Sequence, residues 1–220
     1  MGSRIFGRRF FALAIVAPGL LGCVDPGKRF DDFNERVIDA GPAGPSCEGA
    51  LQDINGEFLV TLAPGFFPDR LLQFIATVEL TTGAGTGTAD FSFQPIYAEI
   101  CAENMGEPEM TGTPVGDPLE ATGVEIDGAG AYEFMFDEAQ VDGRANAVSC
   151  GAILADITLT GIIQSPDVWC GEASGMVKAP TPANLEGSTF GAIRIEEGTV
   201  GEDLPDPQPV CPACGEPDAG

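Results

Sequence analysis

The sequence predicts an all-β fold, and two observations support this. Apolar side chains recur at every second residue through the middle of the chain, and turn-forming residues separate these runs. A period of two places alternate side chains on opposite faces of a strand, so that one face is buried and the other is solvated. No stretch of a dozen residues has the 3.6-residue spacing of an amphipathic helix.

The first half of the predicted domain holds three of these runs. The longest covers residues 72–80, and its apolar face is formed by Leu72, Phe74, Ala76, Val78 and Leu80. Residues 58–62 and 91–93 show the same alternation over shorter lengths. Asn55-Gly56 and the glycine-rich residues 82–88 are turn signals between these runs. We therefore expect consecutive antiparallel strands joined by short turns.

The second half continues the pattern. Tyr132, Phe134 and Phe136 alternate with polar or exposed-type residues, and residues 153–159 and 193–195 alternate in the same way. The turn signals here are Asp127-Gly128, Asp142-Gly143 and Ser165-Pro166-Asp167. The runs together predict seven or eight antiparallel strands.

These strands form one domain over residues 47–200, either a sandwich or a barrel-like closed sheet. We favour the barrel, because a meander of hairpins would otherwise leave long unpaired edges. Gly161, Gly175 and Gly191 within the predicted strands suit the bends that a barrel needs. Residues 23–46 are predicted to be a flexible tether and residues 201–220 an acidic, proline-rich tail, so both termini are expected to be disordered.

The N-terminus has the features of an export signal. Three arginines precede an apolar run that ends in Leu20-Leu21-Gly22-Cys23. The run is too short to cross a bilayer as a helix, which takes about 20 residues. The last four residues resemble the lipobox of bacterial lipoproteins, which makes residues 1–22 a signal peptide.

This resemblance implies a specific anchor. Cys23 would be acylated on its thiol and, after cleavage before it, on its new amino group as well, so that the protein binds the membrane through its N-terminal lipid. Two or more acyl chains hold a protein stably on a membrane. Under the sorting rule of this family, Val24 in the second position implies the outer membrane of the cell envelope rather than the inner one.

Six cysteines remain once Cys23 is assigned to lipid. An even number of cysteines in an exported protein predicts disulfides. We expect three, among Cys47, Cys101, Cys150, Cys170, Cys211 and Cys214. Six cysteines allow 15 pairings; our preferred ones are Cys150 with Cys170 and Cys211 with Cys214. The spacing of the latter pair also occurs in redox and zinc motifs, but its acidic, proline-rich surroundings favour a structural disulfide.

The charge of the chain restricts its partners. There are 34 acidic and 10 basic residues. Removing residues 1–22 leaves seven basic residues and a net charge of −27. Such a surface repels phosphate backbones, so no nucleic-acid partner is expected.

No catalytic motif is present. The chain lacks histidine, which excludes Ser-His-Asp and Cys-His nucleophile systems. Acidic runs occur at Asp137-Glu138 with Asp142 and at residues 103–109, but neither matches a calcium loop, and solvated loops explain them. Trp169 beside Cys170 is interpreted as core packing, with an exposed sugar-binding platform as the alternative. We predict no catalytic residue, metal site or cofactor.

The sequence thus predicts a lipid-anchored protein outside the cytoplasm that presents a β-domain for binding or for a structural role. Its partner would be a protein or small molecule that the sequence does not identify. One alternative is a carrier of a small apolar ligand within a β-barrel. A hydrolase that uses paired carboxylates is a further alternative, because such pairs catalyse glycoside hydrolysis.

Overall fold

The structure is a computed structural model of the chain and describes residues 49–212. Cys23, Cys47, Cys214 and the predicted signal peptide and tether lie outside the described residues. One short helix, α1, spans Glu99–Met105. The strands in this part of the chain are β1 (Gly56–Ala63), β2 (Leu72–Thr82), β3 (Gly87–Pro95), β4 (Leu119–Ile126), β5 (Ala131–Val141), β6 (Ile153–Ser165), β7 (Val168–Ala179), β8 (Ala183–Asn184) and β9 (Ser188–Ile195).

The strands form a closed antiparallel barrel, as the sequence predicts. Eight of them follow one another around the barrel in the order β1, β2, β3, β4, β5, β6, β7, β9, and β9 returns to pair with β1. The two-residue β8 is an extra strand that pairs only with β7. The pairing of β1 with β9 removes the two outer edges that an open meander of this length would leave.

Alternation along the strands fills the barrel. The inward faces carry nine aromatic side chains, namely Phe58, Phe74, Phe91, Phe93, Tyr132, Phe134, Phe136, Trp169 and Phe190. Trp169 is fully buried at the centre, with ring centroids 5.7 Å from Phe58 and from Phe91 and 5.9 Å from Phe190. An eight-stranded barrel is just wide enough for side chains to fill. The core interpretation of Trp169 is therefore confirmed, and the tryptophan is not a surface platform.

The two ends of the barrel differ. At the entry end, where the described chain begins, Ala50 and Leu51 donate backbone hydrogen bonds to Ile163 and Gly128. The buried side chain of Ile54 packs there against the core. The opposite end, which we call the mouth, is formed by the β1–β2 loop, residues 142–152 and residues 180–187. Helix α1 covers one side of the mouth, where Cys101 and Ala102 join the core.

A second packed layer lies outside the barrel. Residues 196–211, which we call the strap, follow β9 and cross the outer faces of β1 and β9. Leu204 of the strap packs on an outer cluster that contains Leu59 and Ile75. A side chain at Gly191 would collide with the carbonyl oxygen of Gln208, so this glycine makes room for the strap. The predicted tail is thus, in its described part, packed against the domain.

Two disulfides join described residues, and they correct the preferred pairings. Cys101 of α1 is bonded to Cys150 in the mouth, and Cys170 of β7 is bonded to Cys211 of the strap. The expected bond between Cys150 and Cys170 is wrong because these residues lie at opposite ends of the barrel. The expected bond between Cys211 and Cys214 is also wrong, because the strap brings Cys211 onto the outer face of β7.

Candidate functional site

An apolar cavity at the mouth is the candidate site. Its volume is about 240 Å³. The walls come from the mouth ends of β1, β2, β5, β6 and β7 and from the loops around them. The lining side chains include Leu62, Phe66, Phe67, Leu72, Phe74, Val141, Ile153, Ala155, Ile157, Val177 and Leu185.

The barrel walls place these side chains by the same alternation that fills the core. Ala155 and Val177 face each other across the β6–β7 pair, whose register matches these two residues. Both are buried, as is Leu185, whose backbone N–H donates to the carbonyl of Gly175. These three residues form a small cluster of their own, separate from the aromatic core.

The β1–β2 loop supplies the outer rim. Phe66 and Phe67 are consecutive, their rings are 5.6 Å apart, and their exposed fractions are 37% and 54%. The loop is held by a hydrogen bond from Phe67 N–H to the carbonyl of Pro64 and one from Arg70 N–H to the carbonyl of Phe67. Two exposed aromatic rings over an apolar cavity are typical of a binding rim rather than of a packed core.

The opposite rim is rigid. The side-chain nitrogen of buried Asn146 donates to Ser149 Oγ (2.9 Å) and to the carbonyl of Gly151 (2.7 Å), while its oxygen accepts from Val148 N–H (3.1 Å). The Cys101–Cys150 disulfide ties the same loop to α1. The hydrogen bonds of Asn146 are therefore satisfied within its own loop, and this rim is held in place without a ligand.

Among residues 49–212, no charged side chain lines the cavity. Its polar lining consists of Asn146, Ser149 and Thr181. Burying an unpaired charge in such surroundings is strongly unfavourable. The cavity therefore suits a small, uncharged, apolar molecule, and the hydroxyl groups of Ser149 and Thr181 can serve a polar end of it.

The barrel interior itself offers almost no room. A void of about 30 Å³ lies among the core side chains, and Leu62, Phe74 and Ile157 line both this void and the mouth cavity. Tyr132 Oη and Trp169 Nε1 are buried without a hydrogen-bond partner. Burial raises the pKa of Tyr132 well above its usual value, so this phenol stays neutral. Any ligand of the described barrel would therefore occupy its mouth rather than its centre.

The acidic residues singled out in the sequence lie on the surface. Asp142 accepts two hydrogen bonds from the Arg144 side chain, both 2.9 Å long, and these lower the pKa of Asp142. Glu138 lies 3.8 Å from Lys178. No Asp or Glu of residues 49–212 is buried, and no group of three or more potential ligands there could hold a metal ion.

Sequence reasoning did not find the mouth. The signal available was Phe66-Phe67, two adjacent aromatic residues inside a Pro- and Gly-containing loop between two predicted strands. Neither residue continues the apolar alternation of the neighbouring strands. Large aromatic side chains are more often buried than placed in a turn, so this pair is unusual.

No protein-family model, curated protein or solved structure matches the chain. No helix in the described part of the chain has the length and apolar character needed to span a bilayer. The site must therefore be interpreted from its own chemistry.

Proposed function

We propose that this protein is a lipid-anchored binding module of the cell envelope, and that its barrel takes up a small, uncharged, apolar molecule at the mouth. The observation that carries the binding role is the cavity of about 240 Å³ with no charged lining. The carrier hypothesis from the sequence is thereby refined, because the ligand occupies the mouth and not the filled interior.

The net charge supports a neutral ligand. A fatty-acid carboxylate would approach a surface rich in acidic groups, and it would find no basic partner among the cavity-lining residues. Like charges repel such a ligand before it enters. A neutral hydrocarbon, aromatic or terpenoid group is not repelled by the acidic surface and needs no basic partner in the cavity. Burying it stabilises the complex by about 25 cal/mol per Å² of apolar surface.

The position of the mouth agrees with tethering. The described chain enters at the end where Ala50 and Leu51 are hydrogen-bonded, and the cavity lies at the other end. A chain anchored through Cys23 would thus reach the described domain at the entry end, opposite the cavity. The two disulfides fit an oxidising compartment, as expected for an exported protein.

Binding is tested with a neutral fluorescent probe, N-phenyl-1-naphthylamine, titrated into the purified full-length protein. We expect a saturable rise in fluorescence. Ala183→Trp, which fills the cavity from its wall, should abolish the rise. The matched variant Asn184→Trp places the same ring on the neighbouring, exposed position and should retain it. Equal binding by both variants, or no saturable binding by the unmodified protein, would overturn the proposal.

The anchor is tested separately. Cys23→Ser should release the protein from the membrane fraction, and mass spectrometry of the unmodified protein should show acyl groups on its first residue. Continued membrane association of Cys23→Ser would contradict lipid anchoring, while leaving the binding proposal untouched.

A further inference from the structure

One junction in the barrel wall is almost unpaired. The β5–β6 register runs from Ala131↔Ile162 to Val141↔Ile153, and the β3–β4 register from Gly87↔Ile126 to Phe93↔Leu119. Between β4 and β5 the register contains the pair Ile126↔Tyr132 and no other. Beyond this pair the two strands diverge, and we call the gap between them the seam.

Two β-bulges produce the divergence. In β4 the register shifts opposite Ala89 and Phe91, and Gly123 has a φ of 69°. In β5 the register shifts between Phe136 and Ala139, and Glu138 has a φ of 53°. A bulge bends its strand and interrupts pairing.

Each bulge is held by an aspartate on the neighbouring strand. Gly123 N–H donates to Asp90 Oδ1 (2.7 Å), and Glu138 N–H donates to Asp156 Oδ1 (3.0 Å). Because each bulge has its own anchor, the seam is a built feature of the wall rather than a frayed edge.

The seam exposes strand backbone. Ile163 N–H donates to the carbonyl of Gly130, so alternation directs the backbone groups of Tyr132, Phe134 and Phe136 towards β6. The N–H and C=O of Met135 consequently face the seam, and its side chain is 59% exposed. Unpaired strand backbone of this kind is a template for an added strand.

The seam is also strongly acidic. A groove of about 1010 Å³ runs between Gly116–Glu120 and Met135–Asp142, and its acidic lining consists of Asp117, Glu120, Asp137, Glu138 and Asp142. A second groove at the other end of the seam is lined by Glu125, Asp127 and Glu133. No basic residue of the described part of the chain lines either groove.

Little of this charge is neutralised within the described residues. Asp142 pairs with Arg144 and Glu138 lies near Lys178, whereas Glu120 and Glu133 accept hydrogen bonds from the neutral hydroxyls of Ser92 and Thr160. A second copy of this acidic chain would be repelled from the seam. An extended segment with lysine or arginine side chains would be attracted to it.

We infer that the seam is a docking site for an extended, basic segment of another protein, which adds to the free edge of β5 as a further strand. Backbone hydrogen bonds from Met135 would give the segment its direction, and side chains of alternate residues would reach the carboxylates on either side. This surface lies outside the mouth cavity and does not depend on the ligand proposed for it.

The probe is a synthetic peptide of alternating lysine and valine, about ten residues long, the upper length of common strands. Its controls replace lysine by glutamate, or the central valine by proline. We expect amide chemical-shift changes along β4 and β5 of the full-length protein with the lysine peptide and none with either control. Shift changes spread evenly over the acidic surface would overturn the inference.

Variants at one position separate strand pairing from simple charge attraction. Met135→Pro removes the backbone N–H that faces the seam and leaves the β5–β6 hydrogen bonds intact. Met135→Thr changes the side chain but keeps this N–H. Loss of one hydrogen bond should weaken peptide binding by up to about tenfold in Met135→Pro. Met135→Thr should bind as the unmodified protein does. Equal affinities for the two variants would contradict strand addition.

A measurement on the unmodified protein keeps the test independent of folding of the proline variant. Hydrogen exchange of the Met135 amide should slow when the peptide is added, while exchange of Phe134 and Phe136, already paired with β6, should change little. An unchanged Met135 exchange rate at saturating peptide would rule out pairing at this edge. Reversing charge with Glu120→Lys and Glu133→Lys together should weaken binding and reduce its dependence on salt.

Discussion

The two ends of the barrel are built from the same alternating strands, but the side chains inside them are packed to different densities. Around the barrel centre Trp169 and its aromatic neighbours leave a void of only about 30 Å³, and Ile54 packs on this core at the entry end. At the mouth the inward positions carry smaller side chains such as Ala155 and Val177, and the loops do not close over them. Alternation therefore determines which side chains face inward, while the size of those side chains determines whether a cavity remains.

The entry end should carry most of the stability. Trp169→Ala removes the central ring of the aromatic cluster and leaves a cavity in rigid surroundings, so we expect a loss of about 3–5 kcal/mol in the free energy of unfolding. Chemical denaturation measures this loss. A loss below about 1 kcal/mol would show that the core relaxes around the deletion, and it would remove the contrast between the two ends.

The stability of the mouth should depend more on its disulfide than on the packing of large side chains. Replacing Cys101 and Cys150 together by serine should cost about 2–4 kcal/mol, because the bond closes a long loop in the unfolded chain. The same replacement of Cys170 and Cys211 is the matched control, since the sequence separations of the two bonds, 49 and 41, are similar. Only the first variant should speed hydrogen exchange of residues 146–152. Equal exchange in both variants would contradict a role for this bond in the mouth.

A smaller, pH-dependent contribution should come from Asp142 at the mouth end of β5. Its hydrogen bonds to Arg144 lower its pKa in the folded state, so the stabilisation is present above the unfolded value of 3.8 and is lost as the pH falls through the lowered folded value. Both side chains are partly exposed, which limits the effect to below about 1 kcal/mol.

The variant Asp142→Asn isolates this effect. It should be less stable than the unmodified protein at neutral pH, and the difference should vanish below the folded pKa of Asp142. Denaturation curves of both proteins across this range give the comparison. A difference that grows as the pH falls would have the wrong sign for a lowered pKa.

The smallest change in stability is expected at the rim. Phe67→Ser replaces a ring that is 54% exposed, so the free energy of unfolding should change by less than about 0.5 kcal/mol. Binding of N-phenyl-1-naphthylamine should nevertheless weaken, because the ring lines the cavity. A stability loss close to that of Trp169→Ala would show that the rim belongs to the core.

Sequence periodicity predicted the strands whose inward residues are large. The run at residues 72–80 lies within β2, and Tyr132, Phe134 and Phe136 of β5 face inward as expected. β7 was indicated only through Gly175, which was expected to lie within a strand, because Gly171 and Gly175 interrupt its apolar alternation. β4 was missed because its bulge shifts the buried residues to the irregular spacing of Ala121, Val124 and Ile126.

The cavity and the disulfides could not be predicted in the same way. Both depend on which loops meet at one end of the closed barrel, and hydrophobic periodicity carries no information about that. Cys101 and Cys150 meet because α1, a helix of seven residues, packs beside the mouth loop. So short a helix gives no detectable periodicity. The uncharged, apolar character of the cavity is visible only in the folded structure, because its lining residues come from distant parts of the sequence.

The pairing of the first strand with the last one has a consequence for how the chain reaches this structure. Glu57 of β1 is the register partner of Ile195 of β9, so the barrel cannot close until nearly the whole domain has been synthesised. Contacts this distant in sequence make folding slow, because the intervening chain must first lose its conformational freedom. If the protein is exported as proposed, this delay suits it, because a polypeptide that stays open until its final strand emerges would cross the membrane as an extended thread and complete its fold on the far side.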